Sequence, residues 1–218
     1  MKPTLETASI VIPTYNRREL LERTLQSILA MRDVERCQII VSDDGSSDGT
    51  REAVASYSNR MDIVYRFQED LGFRAARARN AALDLAKHPL LIFLDCGMLV
   101  TSSFLHGHLA AHRHEQRAAA VIGYAYGFDR NNENGNRVQQ LLDWEDIDAS
   151  VRRLQKACLT PDPREELYGM VSLPRFGGHP ERDYSCGSSA NAAEKNTSRF
   201  IQKRCRPSRD GARFEDCR

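Results

Sequence analysis

Short apolar runs alternate with longer amphipathic stretches along the first 127 residues of the chain. Short apolar runs between polar turns are typical of strands in a parallel sheet, and apolar positions three or four apart are typical of helices. The runs predict strands at 9–13, 38–41, 63–67, 90–94 and 118–127. The amphipathic stretches predict helices at 17–30, 50–57, 73–86 and 101–114. This alternation indicates an α/β domain with a mainly parallel sheet joined by right-handed crossovers.

The apolar run at 90–94 ends in a single carboxylate, Asp95. The run predicts a central strand that is buried on both faces. Ligand sites in such sheets lie beyond the carboxyl ends of the strands. Asp95 therefore has two interpretations. It is a turn or helix-capping residue, or it is a ligand for a hard divalent cation that holds a phosphate-bearing substrate.

Polar residues also follow the first two predicted strands. Thr14 and Tyr15 offer a hydroxyl and a ring to a base, and Asp43 or Asp44 offers an acceptor to a base or a ribose. Each of these residues also has a plain structural interpretation, since Asp-rich turns are common. Asn16 is predicted to cap the helix that follows it. No G-x-G-x-x-G follows the first strand, which disfavours a Rossmann dinucleotide enzyme.

The pattern weakens beyond residue 128, where a polar loop is followed by a predicted helix at 144–159. A second helix is compatible with residues 189–202, and little periodicity is visible elsewhere. His108 and His112 are four apart, which suits either a metal-binding pair or, as we favour, structural or solvated histidines. The chain therefore divides into a regular part and an irregular C-terminal part.

Composition narrows the class of protein. The 218 residues carry a net charge of +1, so no overall field attracts nucleic acid or an anionic membrane. No apolar run reaches the roughly 18 residues that a membrane-spanning helix needs, and no signal peptide is visible. We therefore expect a cytoplasmic protein without nucleic-acid partners. Its six cysteines contain no C-x-x-C pair and are expected to be free, with Cys37 and Cys96 as small buried residues.

Four ordered motifs, at 10–17, 41–48, 72–82 and 93–98, resemble those of family 2 inverting glycosyltransferases. The resemblance covers roughly residues 8–127, and residues 72–98 are most similar to the chondroitin-polymerase-like branch. It implies a GT-A fold, in which a mainly parallel sheet is flanked by helices, followed here by an irregular C-terminal appendage. Residues 1–127 would form the nucleotide-sugar-binding core, and residues 128–218 the acceptor side and the irregular region.

The resemblance also implies an activity and a binding site. A hexosyltransferase of this family transfers a sugar with inversion from a nucleotide-diphosphate sugar to the hydroxyl of a saccharide or small-molecule acceptor, with Mn²⁺ or Mg²⁺. Asp95 would be the metal ligand. The donor-binding residues it implies are Thr14, Tyr15, Asn16, Arg17, Asp43, Asp44, Arg79, Asn80 and Asp95.

The sequence departs from the family pattern in two places. The metal motif Asp-x-Asp reads Asp95-Cys96-Gly97, so the second carboxylate is absent and a weak metal site is expected. Residues 176–183 match the acceptor-binding segment of the family only in part. The catalytic base is sought in that segment, at Glu181 and Asp183, and then at Glu145 and Asp146. The alternative function is a catalytically impaired donor-binding or partner protein derived from the same family.

Overall fold

The computed structural model of the protein describes residues 6–113, 120–123, 125–126, 135–157 and 201–203. These residues fall into two compact units that divide after His114. The first unit contains the described residues up to 113, and the second contains those from 120 to 203. The predicted division at residue 127 stays a prediction.

Helices and strands alternate through the first unit. Its elements are β1 (Ala8–Thr14), α1 (Arg18–Leu29), a 3₁₀ turn (Val34–Arg36), β2 (Cys37–Asp43), α2 (Thr50–Ala55), β3 (Asp62–Phe67), α3 (Ala75–Leu83), β4 (Leu90–Phe93) and α4 (Phe104–Arg113). The second unit contains β5 (Ala120–Ile122), α5 (Gly135–Leu141), α6 (Ile147–Ala157) and β6 (Ile201–Lys203). Every helix and strand predicted between residues 9 and 114 is present.

The first unit is built on a four-stranded sheet with the order β3-β2-β1-β4, in which every pair is parallel. The predicted parallel α/β architecture is confirmed. Among the described residues β4 stands at the end of this order, and the predicted central position of the 90–94 strand stays a prediction. Leu90 and Ile92 are buried, whereas Leu91 and Phe93 are only half-buried. The strands buried along their whole length are β1 and β2, with Pro13 alone half-buried.

The strand residues alternate between two apolar clusters, as the two-residue period of a strand requires. Ile10 and Ile12 belong to the larger cluster, together with Leu25 of α1. Val11 belongs to the smaller cluster, together with Ala82 of α3. The small residues of α3 let this helix approach the sheet closely, and the hydroxyl of Ser42 donates to the carbonyl of Ala78 at 2.7 Å. The helices thus fix the sheet from both faces.

The second unit differs from the sequence prediction. β5 is short, covers only part of the predicted 118–127 strand, and pairs antiparallel with β6 instead of extending the parallel sheet. The sequence is compatible with a helix at 189–202, but that interpretation is wrong for residues 201–202, which lie in β6. Local periodicity cannot reveal a pairing between segments so far apart in the chain. α6 lies inside the predicted 144–159 helix, and α5 was not predicted.

None of the helices in the described part of the chain combines the length and the apolar character required to cross a membrane.

Candidate functional site

The carboxyl ends of the strands meet at one edge of the parallel sheet, as its register dictates. Thr14 at the end of β1 lies beside Asp43 at the end of β2, and Asp43 lies beside Phe67 at the end of β3. The loops after the strands therefore collect at this edge. All of the donor-binding residues predicted from the sequence lie in the first unit, on these loops, on the adjoining strand ends or on α3.

Asp43 lies beneath this edge and is fully buried. Its Oδ1 accepts hydrogen bonds from the backbone N–H groups of Gly45 at 3.1 Å and Ser46 at 2.8 Å. Its Oδ2 accepts from the hydroxyl of Tyr65 at 2.5 Å. Burial, followed by the bond to Asp43, raises the pKa of Tyr65. The carboxylate of Asp43 thereby links the turn after β2 to the side chain of Tyr65 in β3.

Asp44 joins three loops at the same edge. Its backbone N–H donates to the carbonyl of Thr14 at 2.9 Å. Its two carboxylate oxygens accept from the Gln68 side chain at 2.5 Å and from the backbone N–H of Arg74 at 2.7 Å. Asp44 thereby fixes both ends of the 68–74 loop. The Nε of Arg74 lies 3.9 Å from this carboxylate, is buried, and has no hydrogen-bond partner within the described residues.

Tyr15 stands above this edge with 45% of its surface exposed. Its hydroxyl donates to Oδ2 of Asp70 at 2.8 Å, while Oδ1 of Asp70 accepts from the backbone N–H of Gly72 at 3.0 Å. These two bonds lower the pKa of Asp70, and the carboxylate of Asp70 raises the pKa of Tyr15. The tip of the 68–74 loop is thereby tied to the tyrosine, whose ring remains accessible.

The start of α1 corrects the prediction for Asn16. The N-cap position is Arg17, which makes no side-chain capping bond. The backbone N–H of Arg18 instead donates to Oδ2 of Asp48 at 2.8 Å. Asn16 has a positive φ of 47°, and its side-chain oxygen accepts from the N–H of Ser47 at 2.9 Å. Asn16 therefore connects two loops of the edge and does not cap the helix.

Thr14 and Cys96 lie under the loops of the edge. Thr14 is buried, and its hydroxyl donates to the sulfur of Cys96 at 3.6 Å. Burial raises the pKa of the Cys96 thiol and raises that of Cys37 to about 12. Both cysteines are free, as predicted, although Cys96 is only half-buried. Thiols with raised pKa values serve here as small packing groups.

Asp95 projects from the loop after β4, and its side chain is 73% exposed. Its Oδ1 accepts from Nη2 of Arg79 at 2.7 Å. No helix begins at Asp95, and its backbone carbonyl accepts from Met98 in a turn. The helix-capping interpretation therefore does not apply. A turn role and a metal-binding role both suit this position.

Gly97, where the family motif has its second aspartate, has a φ of +95°. Its N–H donates to the hydroxyl of Thr24 at 3.0 Å. A Cβ built at this position would lie 3.6 Å from Cδ1 of Leu20. A side chain at position 97 would therefore start from a strained backbone and would face α1.

We expect Gly97→Asp to lower the free energy of unfolding by about 1–2 kcal/mol, because L-residues are disfavoured at positive φ. We also expect no gain in Mn²⁺ affinity, since the new carboxylate would emerge toward Leu20. Chemical denaturation and Mn²⁺ titration measure the two effects. The matched control is Gly97→Ala, which carries the same backbone strain without a charge. Tighter Mn²⁺ binding in the aspartate variant alone would contradict this expectation.

The described residues contain no group of three His, Cys, Asp or Glu side chains that suits a metal ion. His108 is buried against Phe104 with the two rings edge to face, and burial lowers the pKa of His108 to about 4. This packing supports the structural interpretation for His108. Asp95, exposed at the strand ends, suits a cation that takes its remaining ligands from substrate phosphates and water.

The preferred candidates for the catalytic base, Glu181 and Asp183, lie outside the described residues, and their role stays a prediction. Asp146 accepts from the backbone N–H of Ala149 at 2.7 Å. This bond caps the start of α6. Glu145 is exposed beside it. Asp146 thus has a structural role already, which makes it the weaker candidate of the two.

Sequence reasoning missed the residues that organise this edge. Asp70, Gln68 and Tyr65 contact predicted site residues but were not predicted to belong to the site. The rule that identified Asp43 applies to Gln68 and Asp70 as well, because the loop at 68–72 follows a parallel strand, whereas Tyr65 lies within β3. What the sequence lacks is the pairing of particular side chains, such as Tyr15 with Asp70.

The model of glycosyl transferase family 2 matches residues 9–164 of this chain. The chain belongs to glycosyl transferase family 2. Validoxylamine A glucosyltransferase of Streptomyces hygroscopicus subsp. jinggangensis is 43% identical over 157 residues, which are 72% of this chain and 37% of that protein. The hyaluronan synthase of Pasteurella multocida is 36% identical over 203 residues, 89% of this chain and 21% of the synthase. Chondroitin synthases are also among the relatives of this family 2 chain, so the predicted resemblance is confirmed.

The fold agrees with this assignment. S. aureus TarS aligns with a TM-score of 0.53 and 22% identity over 58% of this chain and 23% of TarS. The predicted GT-A fold is thereby confirmed for the aligned part of this family 2 chain. The chain spans well under half the length of the curated relatives described above.

Proposed function

We propose that the protein transfers a sugar from a nucleotide-diphosphate sugar to an acceptor hydroxyl with inversion. The observation that carries the proposal is the family match, which extends over all four motifs. The convergence of Tyr15, Asp44, Arg79 and the exposed Asp95 in the first unit supports it. The predicted cytoplasmic location stays a prediction.

We assign the nucleoside to the face of the Tyr15 ring, which Asp70 holds in place. Asp43 and Asp44 shape the loops beneath the nucleoside, and Arg79 lies near the diphosphate. Asn16, Arg17 and Asn80 remain assigned to donor binding. A glucosyl donor is the first candidate, because the relative with 43% identity is named a glucosyltransferase.

The proposed metal is Mn²⁺ or Mg²⁺, which neutralises charge on the leaving diphosphate when bound. Asp95 would hold it as the protein ligand. Inverting transfer also needs a base that takes the proton from the acceptor hydroxyl as that oxygen attacks the sugar. Glu181 and Asp183 are the residues assigned to this role, and the acceptor is a saccharide or a small molecule.

The test is a panel of UDP-, GDP- and dTDP-sugars, incubated with the protein and Mn²⁺ in the presence and absence of candidate acceptors. We expect release of a nucleoside diphosphate from one donor class. Asp95→Asn should reduce the rate at least about tenfold, because one carboxylate supplies the protein's share of the metal site. Asp33→Asn, the same change at an exposed position away from the carboxyl ends of the strands, is the matched control.

Donor binding without turnover, unaffected by EDTA, would instead indicate the impaired donor-binding alternative. That alternative is not favoured, since the family match extends beyond the donor motifs to residue 164. Failure of every donor to bind would reject both functions.

A further inference from the structure

The inference concerns the ion pair between Arg79 on α3 and Asp95 after β4. Nη2 of Arg79 lies 2.7 Å from Oδ1 of Asp95. The two side chains are unequally exposed, 31% for Arg79 and 73% for Asp95. The pair lies at the sheet edge where the donor is proposed to bind, so its two charges face the proposed metal and diphosphate.

The guanidinium group bonds one oxygen of Asp95 and places a positive charge beside the carboxylate that the cation would also bind. The adjoining position 97 carries no carboxylate, and the described residues offer no cluster of three metal-binding side chains. A cation arriving before the nucleotide would therefore compete with Arg79 for Asp95. An exposed ion pair is worth only about 0.2–1 kcal/mol, so it hinders such a cation but can be opened.

The diphosphate reverses this competition. It brings negative charge and oxygen ligands for the cation. It also offers Arg79 an anion whose geometry matches the planar guanidinium fork. Once the diphosphate is present, Arg79 pairs more favourably with the diphosphate than with Asp95. Asp95 then pairs more favourably with the cation than with Arg79.

We propose that Arg79 is a positioning residue that exchanges partners. It pairs with Asp95 in the nucleotide-free protein and moves to the diphosphate when a divalent cation takes Asp95. This inference rests on the proposed donor site. It makes the cation and the nucleotide bind together, with little cation bound by the protein alone.

The test measures Mn²⁺ and UDP binding separately in Arg79→Gln. Electron paramagnetic resonance of unbound Mn²⁺ reports affinity in the nucleotide-free protein. We expect the variant to bind Mn²⁺ about 1.4- to 5-fold more tightly, which is the worth of an exposed pair expressed as an affinity ratio. With Mn²⁺ present, isothermal titration should show UDP binding about tenfold weaker, because a charge-assisted contact is lost.

Two further variants separate this exchange from a structural role. Arg77→Gln removes an exposed arginine from the same helix and should change neither affinity. Arg79→Lys keeps the positive charge but loses the fork, so Mn²⁺ affinity should stay near that of the wild type while UDP binding weakens. Arg79→Lys also tests the exchange if Arg79→Gln does not fold.

Tighter Mn²⁺ binding together with weaker UDP binding in Arg79→Gln supports the exchange. A purely structural pair would make Arg79→Gln weaken both ligands or neither, and either result overturns the inference. If the wild type binds no nucleotide at all, the proposed function fails. The Mn²⁺ measurement alone then decides whether Arg79 competes for Asp95, and an unchanged affinity in Arg79→Gln overturns that as well.

Discussion

Gly45→Ala is expected to lower the free energy of unfolding by roughly 3 kcal/mol or more and to detach the 68–74 loop from Tyr15. Gly45 has a φ of +101°, and a Cβ there would lie 2.5 Å from Cβ and 2.6 Å from the backbone N of Asp70. Positive φ costs an L-residue about 1–2 kcal/mol, and forcing atoms into an occupied space adds about 1–3 kcal/mol. Since the obstacle is backbone, it cannot rotate away.

Gly72→Ala is the matched control for this change. Gly72 has a φ of +90°, but nothing lies within 4 Å of a Cβ at that position. It should therefore cost only about 1–2 kcal/mol of backbone strain. Urea denaturation compares the two variants, and NMR of the Tyr15 ring reports the loop. Equal losses would show that the close approach of Asp70 to Gly45 does not contribute.

The sequence was sufficient to predict the first unit because its signals are local. Apolar runs such as 38–41 and polar strand ends such as Asp43 and Asp44 depend on neighbouring residues. Parallel pairing then brings separate strand ends to one edge without further information. The family motifs follow the same strand ends, which is why the predicted donor-binding residues lie in one unit.

Backbone angles and distant pairings were not readable from the sequence. Gly97 appears there only as a missing carboxylate, whereas its positive φ and the nearby Leu20 explain why a side chain is disfavoured. Asn16 has a good capping residue type, but Asp48 satisfies the N–H of Arg18 from another loop. The position of a strand such as β4 within the sheet depends on strand order, which an apolar run does not specify.

Asp43→Ala is expected to cost about 3–5 kcal/mol of unfolding free energy, because it removes the fully buried acceptor of three hydrogen-bond donors. Tyr65→Phe removes only one of those donors and should cost about 1–2 kcal/mol. Thermal and urea denaturation of both variants measure this difference, with Asp43→Asn as a milder form should the alanine variant not fold.

The same variants separate support of the turn from direct contact with the nucleoside. The described bonds of the Asp43 carboxylate all join it to other groups of the protein. Replacing Asp43 should therefore change nucleotide affinity only to the extent that the turn after β2 moves. Tyr65→Phe, which loosens the turn but keeps the carboxylate, should then weaken nucleotide binding in proportion to its smaller stability loss. An Asp43→Asn protein of wild-type stability with more than tenfold weaker nucleotide binding would contradict this and assign Asp43 to the ligand.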